Sequence, residues 1–302
     1  MSTPPERILV IGATGMLGRP VAERLLAEGF AVRALARSPE RASGLLPHGV
    51  EIAPGDVTDA DSIRRAMEGC AGVHINLQGG PDEASYERVE HQGTRAIALA
   101  ARAAGLRQLT AISSYTTGPG TTSTPDARAK WQAEQAIRAS GVPYTIFRPT
   151  WFMESLPLFI QGGAAILIGR QPHRLRWLAA EDYARMVVQS YRTAEALGKE
   201  LYIYGPEALT MREALGRYTA ALAPKVRTVG IPLWLGAALA SIGRSDELRA
   251  TTALMRLTSQ HGETGDPQQA RALLGAATTT LDQWLRQRAQ RHPAAAGQPA
   301  AG

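Results

Sequence analysis

The chain runs to 302 residues with 44% apolar side chains and one cysteine, Cys70, a composition that supports one large α/β domain with a smaller appendage and excludes an intramolecular disulfide. Its formal net charge is +6, but the arginines are scattered through helical stretches, only Lys130, Lys199 and Lys225 are lysines, and no basic block or aromatic platform points to nucleic acid. The six histidines make no metal-type spacing with one another or with Cys70, so no metal site is expected.

Residues 7–11 are a short apolar strand, preceded by no apolar stretch of the secretory kind. Residues 15–28 carry helical periodicity that stops at Gly29, a residue type favoured just past a helix end. Residues 31–36 read as a second strand, and Ser38-Pro39-Glu40 opens a short helix with serine at the cap and proline in the first turn. A third strand over residues 50–53 leads to a helix capped by Thr58 or Asp59 and ending near Gly69. The fourth strand, residues 71–76, holds His74, which is expected to be buried and satisfied, and Cys70 before it is expected to pack as a small hydrophobe. A long helix over residues 83–104 follows, then strand five over 107–113, a helix over 125–140 closed by Gly141, and strand six over 143–148. This alternation is that of an α/β protein with a Rossmann-type doubly wound parallel sheet.

Past Pro149 the rhythm breaks. A small C-terminal α/β substrate region is expected over residues 151–290, with some elements returning to the dinucleotide-binding core of residues 1–150. Residues 151–163 are apolar and aromatic with Gly162-Gly163 as a turn, 174–178 and 200–204 read as short strands, and 181–194 as a helix. Thr210 and Glu213 have capping-box spacing at the head of a helix ending at Leu222. Residues 232–242 and 246–260 are apolar helices expected to close the small region's own core, the other use for them being a partner contact or a homodimer. An amphipathic helix over 280–290 precedes a tail, 291–302, rich in Ala, Pro and Gly and expected to be disordered. No run reaches the ~18–20 apolar residues that cross a bilayer. The longest, residues 229–242, is shorter and holds Gly230 and Pro232, so a soluble, cytoplasmic protein with no membrane partner is expected.

The feature that carries chemistry is the loop Gly12-Ala13-Thr14-Gly15-Met16-Leu17-Gly18 between the first strand and first helix. Gly12 allows the tight turn, Gly15 lets backbone amides approach a pyrophosphate, and Gly18 lets the helix pack closely on the sheet. The anion then sits at the helix N-terminus, where unpaired amides and the helix dipole favour it. Glycines so placed mark a dinucleotide site, with Gly12, Thr14, Gly15, Met16, Leu17 and Gly18 as its contacts. NAD enzymes place an acid at the end of strand two, against the ribose 2′-hydroxyl. Here that stretch reads Ala34-Leu35-Ala36-Arg37-Ser38. Arg37 suits a 2′-phosphate and Ser38 donates to the same group, so the cofactor indicated is NADP(H), while Arg33 reads as a solvated strand residue. Asp56, with Val57 beside it after strand three, is placed either for the adenine edge or for a cap on the next helix.

These stretches, together with Arg33 to Pro39, Gly93-Thr94, Ser113-Ser114, Ala129-Lys130-Trp131-Gln132-Ala133-Glu134 and Pro143 to Glu154, resemble the atypical short-chain dehydrogenase/reductases of the NmrA-like, NAD(P)H-binding branch. The resemblance covers most of residues 7–290 and is most specific in the first half. It implies that Leu77, Gln78 and Gly79 line the cofactor's ribose and nicotinamide, that Arg148, Pro149 and Thr150 contact the nicotinamide face, and that Trp151, Phe152 and Met153 wall a pocket for an apolar small-molecule substrate. Ser113 and Ser114 sit at the carboxyl end of a strand, where ligands bind in such sheets, with Ser114 assigned to the active crevice.

Typical members of the wider family carry Tyr-x-x-x-Lys, in which the tyrosine donates a proton to a carbonyl and the lysine holds the nicotinamide ribose. Lys130 falls on the lysine position, but the tyrosine position is Asp126, which reads as a helix cap. Tyr115 is the nearest phenol that can replace the missing acid, so Lys130, Ser114 and Tyr115 are the candidate catalytic groups. The function indicated is an NADPH-dependent oxidoreductase that passes a hydride to a flat, apolar acceptor such as a quinone or enone. The alternatives are an NADP(H)-binding redox sensor without turnover and an accessory or assembly subunit.

Overall fold

Short apolar runs alternate with amphipathic stretches along the first half of the chain, and they fold as strand and helix in turn. The computed structural model describes residues 6–80 and 82–291; the leader reading at residues 1–5 and the tail from residue 292 lie outside them. In chain order come β1 (Arg7–Ile11), α1 (Gly18–Ala27), β2 (Ala31–Ala36), α2 (Pro39–Leu45), β3 (Glu51–Pro54), α3 (Ala60–Met67), β4 (Gly72–Ile75) and α4 (Glu83–Ser85), which runs into a π-helical stretch, Tyr86–Gln92. Then follow α5 (Gly93–Ala103), β5 (Gln108–Ile112), α6 (Pro125–Ser140), β6 (Tyr144–Pro149), β7 (Ile160–Gln161), β8 (Ala164–Ile168) and β9 (Leu175–Arg176). The rest are α7 (Ala180–Ser190), β10 (Lys199–Ile203), β11 (Ala208–Leu209), α8 (Met211–Leu222), β12 (Arg227–Ile231), α9 (Leu233–Ile242), α10 (Asp246–Gln260), α11 (Gln268–Leu274) and α12 (Leu281–Arg291).

Two units share these elements. The first holds residues 6–148, 180–203 and 266–275. Its seven-stranded sheet has the order β3-β2-β1-β4-β5-β6-β10, and the pairings from β1 to β6 are parallel. The strand order reverses between β1 and β4, so the carboxyl ends of these two strands open the crevice where ligands bind in such folds. Every second residue of the central strands, Leu9, Ile11, Val73, Ile75, Leu109 and Ala111, faces one side and packs with Ile63, Ile97 and Ile137 of α3, α5 and α6.

The alternate residues face the other side of the sheet, and there the interior is polar. His74 Nδ1 lies 2.8 Å from Thr110 Oγ1, its Nε2 lies 3.2 Å from the Tyr183 hydroxyl, and Thr110 reaches Tyr191 at 2.9 Å. Both imidazole nitrogens are thus partnered, and burial pushes the His74 pKa down to about 3, so the ring is neutral. Arg33 departs from the sequence expectation. It is buried, and its Nη1 donates to the carbonyls of Ala66 and Glu68 at 2.8 and 2.7 Å, satisfying the C-terminal end of α3.

The second unit holds residues 149–179, 204–265 and 276–291. It carries the sheets β12-β8-β7 and β11-β9. Gly162 and Gly163, with φ of +55° and +78°, turn β7 into antiparallel β8. The capping box of Thr210 and Glu213 is present at the head of α8. β12 has no counterpart in the sequence reading: its residues are exposed or half-exposed, and the apolar ones, Val229 and Ile231, merge into the run that continues through 242.

Candidate active site

The glycine loop sits at the point where the strand order reverses. Gly12 has φ +79°, and a Cβ there would fall 2.2 Å from the Asn76 carbonyl oxygen at the end of β4. A Cβ on Gly18 would fall 2.1 Å from the Gly12 carbonyl oxygen, so the loop, the head of α1 and the exit of β4 are in backbone contact that only glycine permits. The Gly15 amide donates to the Gly12 carbonyl at 3.0 Å, which holds residues 12–17 as a turn and delays α1 to Gly18. Thr14, Gly15 and Met16 are exposed, and Leu17 at the cap offers no side-chain hydrogen bond to the first amides of α1. An exposed turn of close-packed backbone with unused amides fits a pyrophosphate. Asn76 is a residue the sequence reading missed; its part is support, through its own carbonyl and its amide bond to the Ile11 carbonyl at 3.0 Å.

Arg37 and Ser38 leave β2 on this side and are both exposed. Ser38 caps α2, its oxygen accepting from the Arg41 amide at 3.5 Å while its hydroxyl donates to Glu40 Oε2 at 3.5 Å. Arg37 makes no hydrogen bond or ion pair with any described residue; its charge acts on Asp56 across the crevice mouth. Asp56 forms a turn, Oδ1 accepting from the Thr58 amide and hydroxyl at 2.8 and 2.7 Å, while Asp59 supplies the cap of α3. Burial works against the Asp56 charge, but the Thr58 hydrogen bonds, Arg37 and Arg88 outweigh it and hold the carboxyl below the usual range. Oδ2 remains open. Val57 packs where Gly93 has no side chain: a Cβ there would lie 3.2 Å from Val57 Cγ2 and 3.6 Å from Leu77 Cδ1.

The long helix expected over residues 83–104 is interrupted by the π-helical stretch Tyr86–Gln92, which inserts extra backbone per turn and redirects side chains. It turns Glu90 inward, to 3% exposure. Glu90 Oε2 accepts from the Gly79 amide at 3.1 Å, and Oε1 pairs with the Lys130 ammonium. One carboxylate therefore ties the loop after β4 to the lysine of α6. Sequence reasoning missed Glu90, because a helical wheel through residues 83–104 carries no register shift. Gly79 also lets the Tyr86 ring approach, since a Cβ there would lie 2.4 Å from Tyr86 Cδ1. Burial, then the fields of Asp126, Glu90 and Asp82, push the Tyr86 phenol up to about 12, so it keeps its proton throughout the neutral range. Asp126 stands in the first turn of α6, one turn before Lys130; the cap itself is Thr124, which corrects the expectation of an Asp126 cap.

Ser113 and Ser114 diverge. The Ser113 hydroxyl is buried, 2.6 Å from Glu134 Oε1 and 3.1 Å from Thr117 Oγ1, so it is held from behind rather than presented to a ligand. Ser114 is half-exposed and turns the loop, accepting from the Thr116 amide at 3.3 Å. Tyr115 is buried at 6% exposure, which removes most of its surface from contact with a ligand. Ser113, Thr94, Glu90, Lys130 and Glu134 surround a void of about 20 Å³, room for one water molecule. Behind it, Glu134 accepts from Arg148 at 2.6 and 3.0 Å and from Arg138 at 2.7 Å, and Arg148 continues to Glu200 at 2.8 Å and the Tyr202 hydroxyl at 3.1 Å. Burial opposes the Arg148 charge, but Glu134 and Glu200 outweigh it and hold the guanidinium protonated more firmly than in water.

The remaining candidates belong to the second unit. Pro149 and Thr150 are buried, and the Thr150 hydroxyl donates to Glu263 at 2.7 Å. Met153 is fully buried and Phe152 nearly so, which places them in that unit's interior. Trp151 is half-exposed, with ring centroids 5.9 and 6.1 Å from Phe159 and Trp177.

The sequence pattern of a family described as NAD(P)H-binding matches residues 12–190, more than half of the chain and the whole of the glycine loop. The (4-alkanoyl-5-oxo-2,5-dihydrofuran-3-yl)methyl phosphate reductase of Streptomyces griseus is 35% identical over 230 residues, 73% of this chain and 75% of its own. A crystal structure of the NADPH-dependent quinone oxidoreductase QOR2 of Escherichia coli with NADPH is similar with a TM-score of 0.71 at 25% identity, covering 93% of this chain and 99% of that one. A photosystem II assembly factor, Ycf39 of Trieres chinensis, is 24% identical over 76% of this chain and 73% of its own.

Proposed function

The chain belongs to the NAD(P)H-binding family and binds NAD(P)H, and we propose that it uses the cofactor to reduce a flat, electron-poor acceptor of the enone or quinone kind. The observation that carries this reading is the pair Lys130–Glu90 standing one turn from Asp126. The lysine is kept and anchored, while the position of the family's phenolic acid holds a carboxylate. A reduced nicotinamide, when bound, supplies a hydride. An acceptor whose reduced form is a stabilised anion takes it without simultaneous protonation, and solvent delivers the proton afterwards, so the missing phenol is tolerated.

The chain's own part is then binding and orientation. The amides of Thr14, Met16, Leu17 and Gly18 receive the pyrophosphate, Arg37 and Ser38 receive the 2′-phosphate, and the second oxygen of Asp56, with Val57, meets the adenine edge. Glu90 holds Lys130 and the Gly79 amide in fixed relation, which places Lys130 for the ribose hydroxyls and Leu77, Gln78 and Gly79 along its edge. Ser114 remains the hydroxyl available at the mouth of the crevice. The names of the relatives support an acceptor of this class. The Streptomyces griseus reductase is named for a 4-alkanoyl-5-oxo-2,5-dihydrofuran, an alkene conjugated to carbonyls, and the Escherichia coli neighbour for quinones.

A second reading, cofactor binding without turnover in the service of another assembly, is favoured by the assembly-factor relative and by Asp126. Purified protein mixed with NADPH and a panel of acylated furanones, enones and naphthoquinones separates the two. Acceptor-dependent loss of cofactor absorbance is expected. Tight NADPH binding with no loss across the panel would sink the reductase reading and leave the second.

A further inference from the structure

Helix α9 is turned inside out. At about 100° per residue, Trp234, Ala238, Ile242, Leu235 and Leu239 share one arc of about 140°. Trp234 is 69% exposed, Ile242 82% and Leu239 46%. The residues this helix buries are Gly236 and Ala240. A Cβ on Gly236 would lie 3.0 Å from Thr252 Oγ1 of α10 and 3.1 Å from Ile168 Cγ2 of β8, so the small face is what lets α9 pack. A surface helix ordinarily buries its large apolar side chains and exposes its polar ones. The expectation that residues 232–242 close the local core therefore holds only for the small face, and the large apolar face is left without a partner among the described residues. Val229 on β12, five residues before Trp234, adds a further exposed apolar side chain.

The charges around this face indicate what covers it. Residues 228–243 carry no charge at all. Exposed Lys225 and Arg227 stand before that stretch and exposed Arg244 directly after it. Two acids follow, Asp246 and Glu247, of which Asp246 is paired with Arg249. The result is an uncharged apolar helix with tryptophan near its start, the basic pair Lys225 and Arg227 before it, and Arg244 after it with Glu247 three residues on. Tryptophan at the boundary and basic residues beside a buried apolar face are the features of helices that lie in a lipid headgroup layer. Two copies meeting side by side through this face would set Lys225 and Arg227 against the same residues of the second copy, whereas an anionic bilayer meets them with opposite charge.

We propose that the exposed face of α9 docks on an anionic lipid surface. Trp234, Leu239 and Ile242 enter the headgroup layer, and Lys225, Arg227 and Arg244 meet lipid phosphates. The helix lies flat: its 10 residues cannot cross a bilayer, and no helix of the described residues is long and apolar enough to do so. The length criterion applied to the sequence addresses crossing and is silent on a helix of this kind. The proposal does not rest on the identity of the acceptor.

The test uses the full chain and vesicles of phosphatidylcholine, alone or with an equal part of phosphatidylglycerol. Sedimentation with the anionic vesicles at low salt is expected, with little on the neutral ones and little at high salt. The double variant Trp234→Ser, Ile242→Ser is expected to reduce the bound fraction at least about tenfold while keeping NADPH binding, which reports that it is folded. Charge reversal at Arg227 and Arg244 is expected to do the same. The proposal is overturned if wild type ignores anionic vesicles or if the apolar double variant binds them as well as wild type does. It is equally overturned if wild type is a dimer in the ultracentrifuge that the double variant converts to monomer without any vesicle binding, since the face then belongs to a second copy.

Discussion

At position 12 an added methyl group would meet a carbonyl oxygen at 2.2 Å, and at position 37 a guanidinium extends into solvent with no partner among the described residues. The first residue is bound by steric necessity, the second is free to act on a ligand, and they fail differently when changed. Arg37→Asp is expected to weaken NADPH by at least about tenfold while leaving NADH unchanged or tighter, since only the 2′-phosphate loses its countercharge. Titration of both cofactors by fluorescence checks this, and equal losses for the two would remove Arg37 from the site. His74 gives a pH prediction. Its folded pKa lies near 3 against an ordinary value of 6.5, so between these limits the unfolded chain binds a proton that the folded chain does not. Stability is then fully present above about pH 6.5 and declines as pH falls toward 3, with a slope of at most about 1.4 kcal/mol per pH unit from this group. Urea midpoints measured across that range should show the decline, and His74→Gln should flatten it.

Among elements, the π-helical stretch does the most to build the site. It keeps Gly93-Thr94 in helical register with α5 while turning Glu90 toward Lys130 and the Gly79 amide. Glu90→Ala leaves the ammonium and the amide without their acceptor. A stability loss of about 2–3 kcal/mol is expected, at the low end for a broken buried pair because Lys130 reaches solvent. NADPH affinity should fall with it, because the loop after β4 and Lys130 are freed together. Glu90→Gln, which retains an acceptor for the amide, should recover part of the stability without the charge pairing; full recovery of cofactor affinity in that variant would show that the charge on Glu90 is dispensable. α9 is the opposite case, an element whose regular periodicity misleads because its small face is the buried one.

Across the whole first unit, one network joins residues far apart in the chain: buried Glu134 on α6 and Arg148 on β6, and half-buried Glu200 and Tyr202 on β10. It lies directly behind Ser113 and the void beside Lys130, so the rear wall of the site is built from strand pairing that the chain completes only after residue 199. Glu134→Ala strands two guanidinium groups and the Ser113 hydroxyl. It should cost about 3–5 kcal/mol, readable as a shift in the urea midpoint with an unchanged slope. A change below about 1 kcal/mol would mean that the arginines re-pair with Glu200 or reach water.

The alternation of strands and helices, the glycine loop, the cofactor it binds and the lysine of α6 are all legible in the chain itself. Each depends on local rules: a period of two or of 3.6, a backbone conformation that only glycine adopts, a residue type at a fixed distance from a strand end. Glu90, Asn76, the inward turn of Ser113 and the burial of Arg33 are not legible that way. They follow from a helix that changes pitch, from two strand ends brought into backbone contact, and from charges buried only where their partners arrive from distant segments. The outward turn of Trp234 and Ile242 belongs with them. Hydrophobicity tells which side chains water rejects, but only the packing of Gly236 against α10 and β8 decides which face of α9 is left to meet something else.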